Sequence, residues 1–473
     1  MSSNNTEEKT NEKTPDLIPY LKEQIPIEEI RDYASPERIR SLDFVKGLAI
    51  VMIIICHTSG GWLDNDWIFL HGMVYAALDI LGPSLFIFLS ALTVIFSIRK
   101  KKGRLKKKVV RNRILSRGLT IIVIGMIYNI IGLSMIRPDI PFPLNLWGWN
   151  VLMFIGFSQI FSYYAVKFKK WIRAVIGVLI IFISPSLREF LYLNQDSNDF
   201  VWIAHFIITS PIPEITLFPW LAICFISSIF GEYLYDAMIE GPGEAYNKLF
   251  KTLLIWGVFL IIFGILTPSI HVGQTITITY GWQLQTPETI VESEYPHLRL
   301  YYIMNRQSYY HFLGMPEFMI RGTTGNMFYN LGAALVIIAV CFYLVDIKIY
   351  DNKFTHILEY YGKVSLSLFL IHYFFIPLYV GLFSIVVFIF ICLAYVGFMG
   401  FFMYIWNEYG NGVGSPEWFM IQISKIGQKT GQSVKKEAKI VEEVVVKEAK
   451  KVEEFVKKET EKIKETVRKK ETD

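Results

Sequence analysis

The chain has 473 residues, of which 53% are hydrophobic, and its mean hydropathy of +0.38 is higher than soluble domains normally reach. The formal net charge of +5 lies mostly in the loops between apolar runs, so it does not indicate nucleic-acid binding. All four cysteines fall within apolar runs and predict no disulfide framework. The composition therefore predicts an integral membrane protein.

The chain begins with a polar segment, residues 1–37, which predicts a disordered cytoplasmic N-terminus without a cleavable signal peptide. From residue 38 to residue 410 the apolar runs predict an all-α polytopic membrane domain with about ten transmembrane helices. The predicted spans are about 44–58, 71–98, 114–136, 147–166, 171–187, 217–235, 251–268, 326–346, 364–382 and 384–406.

The distribution of lysine predicts the orientation. The first span begins on one face of the membrane, and the segments on that face carry lysine. The loops on the opposite face carry arginine but no lysine. By the positive-inside rule both termini are cytoplasmic, and we expect a multi-pass protein of the plasma membrane. Two interpretations of the basic run at 99–117 remain open. It fixes topology and touches anionic membrane lipid, or it helps to hold a phosphate-rich cytoplasmic cofactor.

Two extracytoplasmic loops, 188–216 and 269–325, interrupt the membrane domain. In the longer one, residues 274–280 alternate as a strand does, and Gly281 then predicts a turn. Aromatic residues and scattered carboxylates follow, which suit the stacking and hydrogen bonding of a sugar. The alternative is a small folded extracytoplasmic cap with aromatic residues at the membrane interface.

The tail consists of a linker, 411–433, and an eleven-residue repeat over 434–473. Eleven residues in three turns keep a narrow apolar stripe on one face, which predicts a cytoplasmic amphipathic α-helix. Three interpretations remain open for this helix. It lies on the inner membrane surface, it pairs with a second copy in a homodimer, or it is solvated.

Two adjacent spans carry ionisable residues toward their extracytoplasmic ends. His57 ends the first span, His71 opens the second, and Asp79 lies eight residues further on. A histidine at a membrane-embedded cavity can act as a general base or accept a group covalently, and a carboxylate can orient it. The alternative for a histidine at a helix end is an interfacial polar residue. Because a carboxylate in a membrane is costly without a role, we predict His71, Asp79 and His57 as catalytic.

At the cytoplasmic end of the first span, Asp43 and Lys46 are spaced i,i+3 and are expected either to pair or to take part in a binding cluster. In the second interpretation, Lys46 joins a cluster that holds phosphate groups and consists of Arg38, Arg40, Arg111, Arg113 and Arg117.

The ninth predicted span places a third histidine, His372, in mid-membrane. Two interpretations remain open: it lines the same cavity as His57 and His71, or it hydrogen-bonds a neighbouring helix. The sequence shows no metal-ligand spacing, no phosphate-cradling glycine loop and no nucleophile elbow.

The segment Arg38–Gly47, followed by Gly60-Gly61-Trp62, resembles the first span of the heparan-α-glucosaminide N-acetyltransferase catalytic family. His71, Asp79 and Pro83–Phe88 resemble the start of that family's second span. Two further segments are similar to features of the wider group of multi-pass acyltransferases, including the acyltransferase-3 family: Phe218–Trp220 and Gly362–His372.

The resemblance implies transfer of an acetyl group from cytoplasmic acetyl-CoA to an amine or hydroxyl of a sugar across the membrane. It also implies that His71 is the essential histidine and Asp79 its carboxylate. The chain differs from the family at two positions, since Lys46 stands in place of arginine and His57 in place of asparagine.

These observations favour a membrane acetyltransferase that uses acyl-CoA and a saccharide acceptor and requires no metal. We expect Arg40, Lys46, Arg111 and Arg113 to contact acetyl-CoA. His372 and Trp62 are the expected substrate contacts. The alternatives are a transporter or flippase of a polar or lipid-linked substrate and a non-catalytic membrane scaffold.

Overall fold

The computed structural model describes residues 39–64, 79–100, 107–136, 141–209, 216–267, 275–278, 288–291, 317–319, 321–419 and 422. The chain divides into two compact units, 1–420 and 421–473. The predicted disordered N-terminus and the predicted tail helix lie outside the described residues, and so does most of the linker.

The described part of the chain is predominantly helical. Its α-helices are α1 (Ser41–Trp62), α2 (Pro83–Lys100), α3 (Lys107–Ile136), α4 (Val151–Ala165), α5 (Lys170–Leu193), α6 (Asp199–Thr209), α7 (Leu217–Glu240), α8 (Glu244–Leu266), α9 (Thr324–Phe342), α10 (Lys353–Lys363), α11 (Ser365–Ile371) and α12 (Ile385–Gly410). A 3-10 turn, Asp79–Leu81, precedes α2, and a π-helical turn, Tyr343–Ile347, follows α9.

Seven helices in the described part are long and apolar enough to cross a membrane, and all seven coincide with predicted spans. They are α1, α3, α5, α7, α8, α9 with its π-helical turn, and α12. The fourth predicted span is represented by α4, which has only 15 residues. The second begins among residues outside the description and continues as α2.

The ninth predicted span, 364–382, is not a continuous helix. It consists of α11 and two 3-10 turns, His372–Phe374 and Ile376–Tyr379. Pro377 accounts for the break, because proline lacks an N–H and its ring clashes with the carbonyl one turn earlier, here that of Tyr373. We call the stretch from Ser365 to Tyr379 the broken segment.

The broken segment runs alongside α1 over its whole length. Just before it begins, the backbone of Gly362 lies so close to the carbonyl of Asp43 that a Cβ at Gly362 would overlap it. Just after it ends, the Phe383 N–H donates to the Trp62 carbonyl at 2.9 Å. We call the end of α1 near Asp43 the Arg40 end and the end near Phe383 the Trp62 end, and we use the same names for the adjoining parts of the surrounding helices.

Glycines allow α8 and α9 to approach closely. Gly257 faces Gly332 and Gly264 faces Gly325, so both helices contribute glycines seven residues apart. A Cβ at Gly332 would lie 2.5 Å from the Gly257 carbonyl oxygen and from the Ile261 nitrogen. Since helices in a membrane associate by van der Waals packing rather than by the hydrophobic effect, such small-residue contacts determine which faces meet.

A buried ion-pair network joins α2, α5 and α7. The carboxylate of Glu232 lies 2.9 Å from Arg173, 3.3 Å from Arg99 and 3.6 Å from Lys170. Arg173 is only 1% exposed and also donates to the Ser228 hydroxyl at 2.8 Å. Several cations around one carboxylate satisfy charges that would otherwise be costly to bury.

The described strands form one antiparallel pair, β1 (Thr275–Ile278) and β2 (Glu288–Val291), in which Thr275 lies opposite Val291. Strand β1 lies within 274–280, the segment whose alternation predicts a strand. The predicted turn at Gly281 and most of the predicted cap, 269–325, lie outside the described residues.

Candidate functional site in the membrane domain

Of the two residues that the resemblance implies as catalytic, the structure describes only Asp79. His71 belongs to the interval 65–78, which is outside the description. The backbone of Asp79 opens the 3-10 turn directly before α2, and this turn packs against α1 and α9. The assignment of His71 and Asp79 therefore remains a prediction.

The histidines of α1 and of the broken segment lie against each other. His57 Nδ1 is 2.8 Å from His372 Nε2, and the two imidazole rings are stacked with centroids 5.0 Å apart and planes inclined by 9°. His372 is 0% exposed, whereas His57 is half-buried. The structure thus shows the second of the two interpretations of His372, a hydrogen bond to a neighbouring helix.

A tyrosine hydroxyl occupies the other side of His57. The hydroxyl oxygen of Tyr373 lies 3.0 Å from His57 Nε2, and the Tyr373 ring centroid is 4.7 Å from that of His57. Tyr128 of α3 is a hydrogen-bond partner of Tyr373, and their ring centroids are 5.8 Å apart. Three elements distant in sequence therefore bring two imidazoles and two phenols into one cluster.

The break in the helix is what turns these side chains toward α1, and the carbonyls near it find partners. The Tyr395 hydroxyl of α12 donates to the His372 carbonyl at 2.6 Å, and Trp62 Nε1 donates to the Ile376 carbonyl at 2.9 Å. Non-helical backbone is tolerated at membrane depth only where its polar groups are satisfied by protein or where it lines a cavity. The surrounding helices therefore stabilise the broken segment in one conformation.

Trp62, a predicted substrate contact, lies in the packed core beside this cluster. It is 1% exposed, and its indole meets Tyr379, Phe383 and Tyr395 edge-on with ring centroids 5.0–6.2 Å apart. The hydrogen bond from its Nε1 to the broken segment gives Trp62 a structural role at the Trp62 end of α1.

Glu417 secures the other end of α11. Its carboxylate accepts hydrogen bonds from the Ser367 N–H at 3.0 Å and from the Ser367 hydroxyl. A carboxylate at a helix N-terminus satisfies a backbone donor and interacts favourably with the helix dipole. Burial raises the pKa of the Glu417 carboxyl above its ordinary value. The position of α11, and through it that of His372, thus depends on a residue that follows α12.

At the Arg40 end, the guanidinium of Arg40 is paired within the protein. It lies 2.9 Å from Glu359 and 3.0 Å from Asp351. The hydrogen bond between Arg40 and Asp351 raises the pKa of the guanidinium and lowers the pKa of the Asp351 carboxyl. These contacts tie α1 to α10, so Arg40 anchors the helix in this structure.

The other predicted acetyl-CoA contacts divide into two groups. Lys46 lies 3.5 Å from Asp43, as the i,i+3 spacing predicts, and within electrostatic range of Arg117. Arg113 precedes Arg117 by one turn of α3, and its Nε is buried without a hydrogen-bond partner among the described residues. Arg111 is half-exposed, and its Nε donates to Oδ1 of the neighbouring Asn112 at 3.4 Å.

Tyr373, Tyr128 and Glu417 are not among the site residues predicted from the sequence. Tyr373 follows His372 directly, and this adjacency to a histidine in an apolar run is the one sequence feature that indicates a role for Tyr373. Nothing in the local sequence links Tyr128 or Glu417 to these residues. Within the described ranges, no group of three or more His, Cys, Asp or Glu side chains is arranged to hold a metal ion.

Comparison with known families supports the resemblance found in the sequence. Residues 38–268, just under half of the chain, match the family model described as heparan-alpha-glucosaminide N-acetyltransferase, catalytic. The match includes α1 with His57, and it ends before the broken segment that supplies His372 and Tyr373. No curated protein and no solved structure matches the chain.

Proposed function

We propose that this protein, whose residues 38–268 match the model of the heparan-α-glucosaminide N-acetyltransferase catalytic family, transfers an acetyl group from acetyl-CoA to an amine or hydroxyl of a saccharide across the membrane. The family match is the observation that carries the proposal, since it implies an acetyltransferase-type enzyme. Seven apolar helices in the described part support an integral membrane setting for that chemistry.

The donor side is proposed at the Arg40 end. Lys46, Arg113 and Arg117 concentrate positive charge on the facing parts of α1 and α3, with Asp43 as the one acidic side chain shown against Lys46. Guanidinium groups suit phosphate oxygens because they present several fixed N–H donors. We propose that this cluster, with Arg111 at its exposed edge, contacts the phosphates of acetyl-CoA. Arg40 acts by holding α1 against α10.

The acceptor side is proposed at the Trp62 end. His71 acts there as the general base or as the transient carrier of the acetyl group, and Asp79 orients it. His57 supplies a further polar group at the acceptor. His372 contributes indirectly, because its hydrogen bond holds His57 in place.

This arrangement requires the Arg40 end to face the cytoplasm, where acetyl-CoA is available. The lysine-bearing loops of the sequence support that orientation, and both termini are then cytoplasmic. We propose the plasma membrane as the location.

A transporter or flippase of a polar or lipid-linked substrate is the second candidate function. The observation that favours it is the broken segment, since discontinuous helices with polar side chains at membrane depth form the substrate sites of many transporters. A transporter moves its substrate unchanged, whereas an acetyltransferase releases free CoA for each acceptor modified.

The test measures release of the CoA thiol from acetyl-CoA by purified protein in detergent, with glucosamine as a trial acceptor and water as the background acceptor. We expect the wild type to release thiol and to form acetylated glucosamine, and His71→Ala to reduce both to background. His356→Ala is the matched control, because His356 is 60% exposed and lies near the Arg40 end of α1 beside Asp351. Thiol release that His71→Ala leaves unchanged would refute the assignment of His71. In sealed vesicles containing the protein, acceptor uptake without thiol release would favour the transporter.

A further inference from the structure

The cluster of His57, His372 and Tyr373 has a defined direction of hydrogen bonding. His372 Nδ1 lies 3.2 Å from the carbonyl oxygen of Leu368, and a carbonyl can only accept. His372 Nδ1 therefore carries the proton, which leaves Nε2 as an acceptor when the ring is neutral. His57 Nδ1 must then donate to His372 Nε2, and His57 Nε2 becomes an acceptor.

That lone pair faces the phenol of Tyr373. The Tyr373 hydroxyl donates to His57 Nε2 at 3.0 Å. Its partner Tyr128 must then donate to the Tyr373 oxygen, which keeps its second lone pair for a further proton donor. The order of donation is therefore Tyr373 to His57, His57 to His372, and His372 to the Leu368 carbonyl. The buried end of the chain is His372, and the accessible end is formed by the half-buried Tyr373 and His57.

We propose that Tyr373, His57 and His372 form a proton relay in which Tyr373 takes a proton from the attacking group of the acceptor and passes its own proton to His57. The inference rests on the proposed acetyl transfer in the form in which His71 is the transient carrier of the acetyl group, and it assigns the proton transfer to other residues of that site. Tyr373 and His57 are its catalytic residues, and His372 is a positioning residue.

The proton balance of the step is complete. The acceptor nitrogen or oxygen forms a bond to the acetyl carbon, and the bond from that carbon to its leaving group breaks. The proton of the nucleophile moves to the Tyr373 oxygen as the Tyr373 proton moves to His57 Nε2. The leaving group departs with the bonding electron pair and afterwards takes up the proton returned by His57 through Tyr373. The products are the acetylated acceptor and the protonated leaving group.

The second imidazole makes His57 a better proton acceptor. When His57 becomes an imidazolium, its Nδ1–H donates a charge-assisted hydrogen bond to His372 Nε2. His372 is in turn oriented by the Leu368 carbonyl and by stacking, which is the arrangement of a base held by a third group. In a low-dielectric setting such a polarised chain is stronger than separate hydrogen bonds.

Titratable groups near the two imidazoles in the described elements include Tyr128 of α3, Tyr373 of the broken segment, and Tyr395 and Cys392 of α12. Tyr395 donates to the His372 carbonyl, and Cys392 lies 3.2 Å from the Thr58 hydroxyl. Tyr128 reaches the cluster only through Tyr373. Changes at His57 or His372 are therefore expected to alter an ionisation that belongs to the imidazole pair and not to these neighbouring groups.

The kinetic test compares Tyr373→Phe with Tyr379→Phe, a tyrosine of the same broken segment that packs against Trp62. With glucosamine as acceptor, we expect Tyr373→Phe to lower kcat about 100-fold or more with little change in KM for acetyl-CoA. Tyr379→Phe should remain within about two-fold of the wild type, since its ring contacts persist. Hydroxylamine, a strong nucleophile that is uncharged at neutral pH, should recover most of the lost rate in Tyr373→Phe. An equal loss with both acceptors, or no loss, would overturn the relay while leaving acetyl transfer intact.

His372→Gln tests the positioning role. We expect the acidic limb of the pH profile of kcat to shift relative to the wild type, because the partner of the His57 imidazolium has changed. An unchanged profile at full rate would overturn that role.

A measurement without turnover separates the relay from the proposed function. Nitrogen-15 NMR of histidine-labelled protein in lipid should show both imidazoles of the pair neutral at pH 8 with the proton on Nδ1, and the two signals should disappear in His57→Asn and His372→Gln respectively. A proton on Nε2 of either ring would overturn the relay even in an active enzyme. If the Nδ1 signals are present in a protein that releases no CoA thiol, the hydrogen-bonded chain stands and acetyl transfer fails.

Discussion

His57 Nδ1 of α1 lies 2.8 Å from His372 Nε2, so a hydrogen bond connects the first helix of the family match to a broken segment outside it. The part of the chain that matches the family therefore does not contain all the residues of the histidine–tyrosine cluster. The second imidazole and the tyrosine that give His57 its direction come from sequence beyond the match. This is why we assign the proton-transfer roles to the combination of the two parts.

The Glu232 network provides the clearest prediction for stability. Glu232→Gln removes the carboxylate that compensates the buried Arg173, and leaving a buried charge unpaired costs about 3–5 kcal/mol. The matched control is Asp236→Asn, since Asp236 is 45% exposed and pairs with Arg99 at 2.8 Å. An exposed pair is worth about 0–1 kcal/mol. Thermal unfolding of the purified variants in detergent should show a clear loss for Glu232→Gln and a small one for Asp236→Asn. Equal losses would contradict the structural account of the network.

The α8–α9 contact predicts a strong effect of a single methyl group. Gly332→Ala places a Cβ against the Gly257 carbonyl and the backbone of Ile261, so the two helices must separate. Gly397→Ala, in the transmembrane helix α12, is the matched control because a Cβ there meets nothing within 4 Å. We expect a lower unfolding temperature and a lower yield of monodisperse protein for Gly332→Ala alone. If both variants behave like the wild type, the close approach of α8 and α9 is wrong.

Glu417 predicts a dependence of stability on pH. A carboxyl whose pKa is raised by folding binds its proton more tightly in the folded state. Its contribution is fully present below the unfolded pKa of about 4.3 and is lost as the pH rises through the raised folded pKa. Glu417→Gln keeps an oxygen that accepts from the Ser367 N–H but cannot ionise.

We therefore expect the unfolding temperature of the wild type to fall over that pH window more steeply than that of Glu417→Gln. Glu408→Gln, a change at an exposed glutamate near the end of α12, should retain the wild-type slope. Parallel slopes for Glu417→Gln and the wild type would show that burial of Glu417 does not govern this part of the pH dependence.

Asp346 predicts an effect on the N-terminus of α1. Its two carboxylate oxygens accept from the backbone N–H groups of Arg40 at 2.9 Å and of Ser41 at 3.1 Å. Removing a capping side chain costs about 0.5–2 kcal/mol, so Asp346→Ala should lower the unfolding temperature. Asp351→Ala should change it little, because its pair with Arg40 is at the surface. A larger loss in Asp351→Ala than in Asp346→Ala would reverse the assigned roles.

The sequence predicts much of the membrane domain because hydropathy is a local property. The helices α1, α7, α8, α9 and α12 coincide with apolar runs that are long enough to span the hydrocarbon region. The broken segment was mispredicted as a continuous span, since its composition stays apolar through the break. Pro377 marked the position, but the effect of a proline depends on whether neighbouring helices satisfy the freed carbonyls.

The candidate site could be predicted only in part. His57 and His372 were each recognisable as ionisable residues in apolar runs, yet they are 315 residues apart in the chain. Which helices become neighbours is decided by tertiary packing, such as the close contact of Gly47 with the Leu358 carbonyl that brings α1 against α10. Tyr373 gains its role from that packing, because a tyrosine in an apolar run is ordinarily only a membrane-interface residue.

The most direct test of the account is a sided transfer assay in sealed lipid vesicles that contain the purified protein and enclose glucosamine. Acetyl-labelled acetyl-CoA is supplied outside, so only protein with its acetyl-CoA side outward can react. We predict that labelled acetylglucosamine accumulates inside the vesicles while an equal amount of free CoA appears outside, and that Tyr373→Phe slows both while Tyr379→Phe does not. Label that never reaches the enclosed acceptor, or glucosamine that leaves the vesicles unmodified without release of CoA, would contradict transmembrane acetyl transfer.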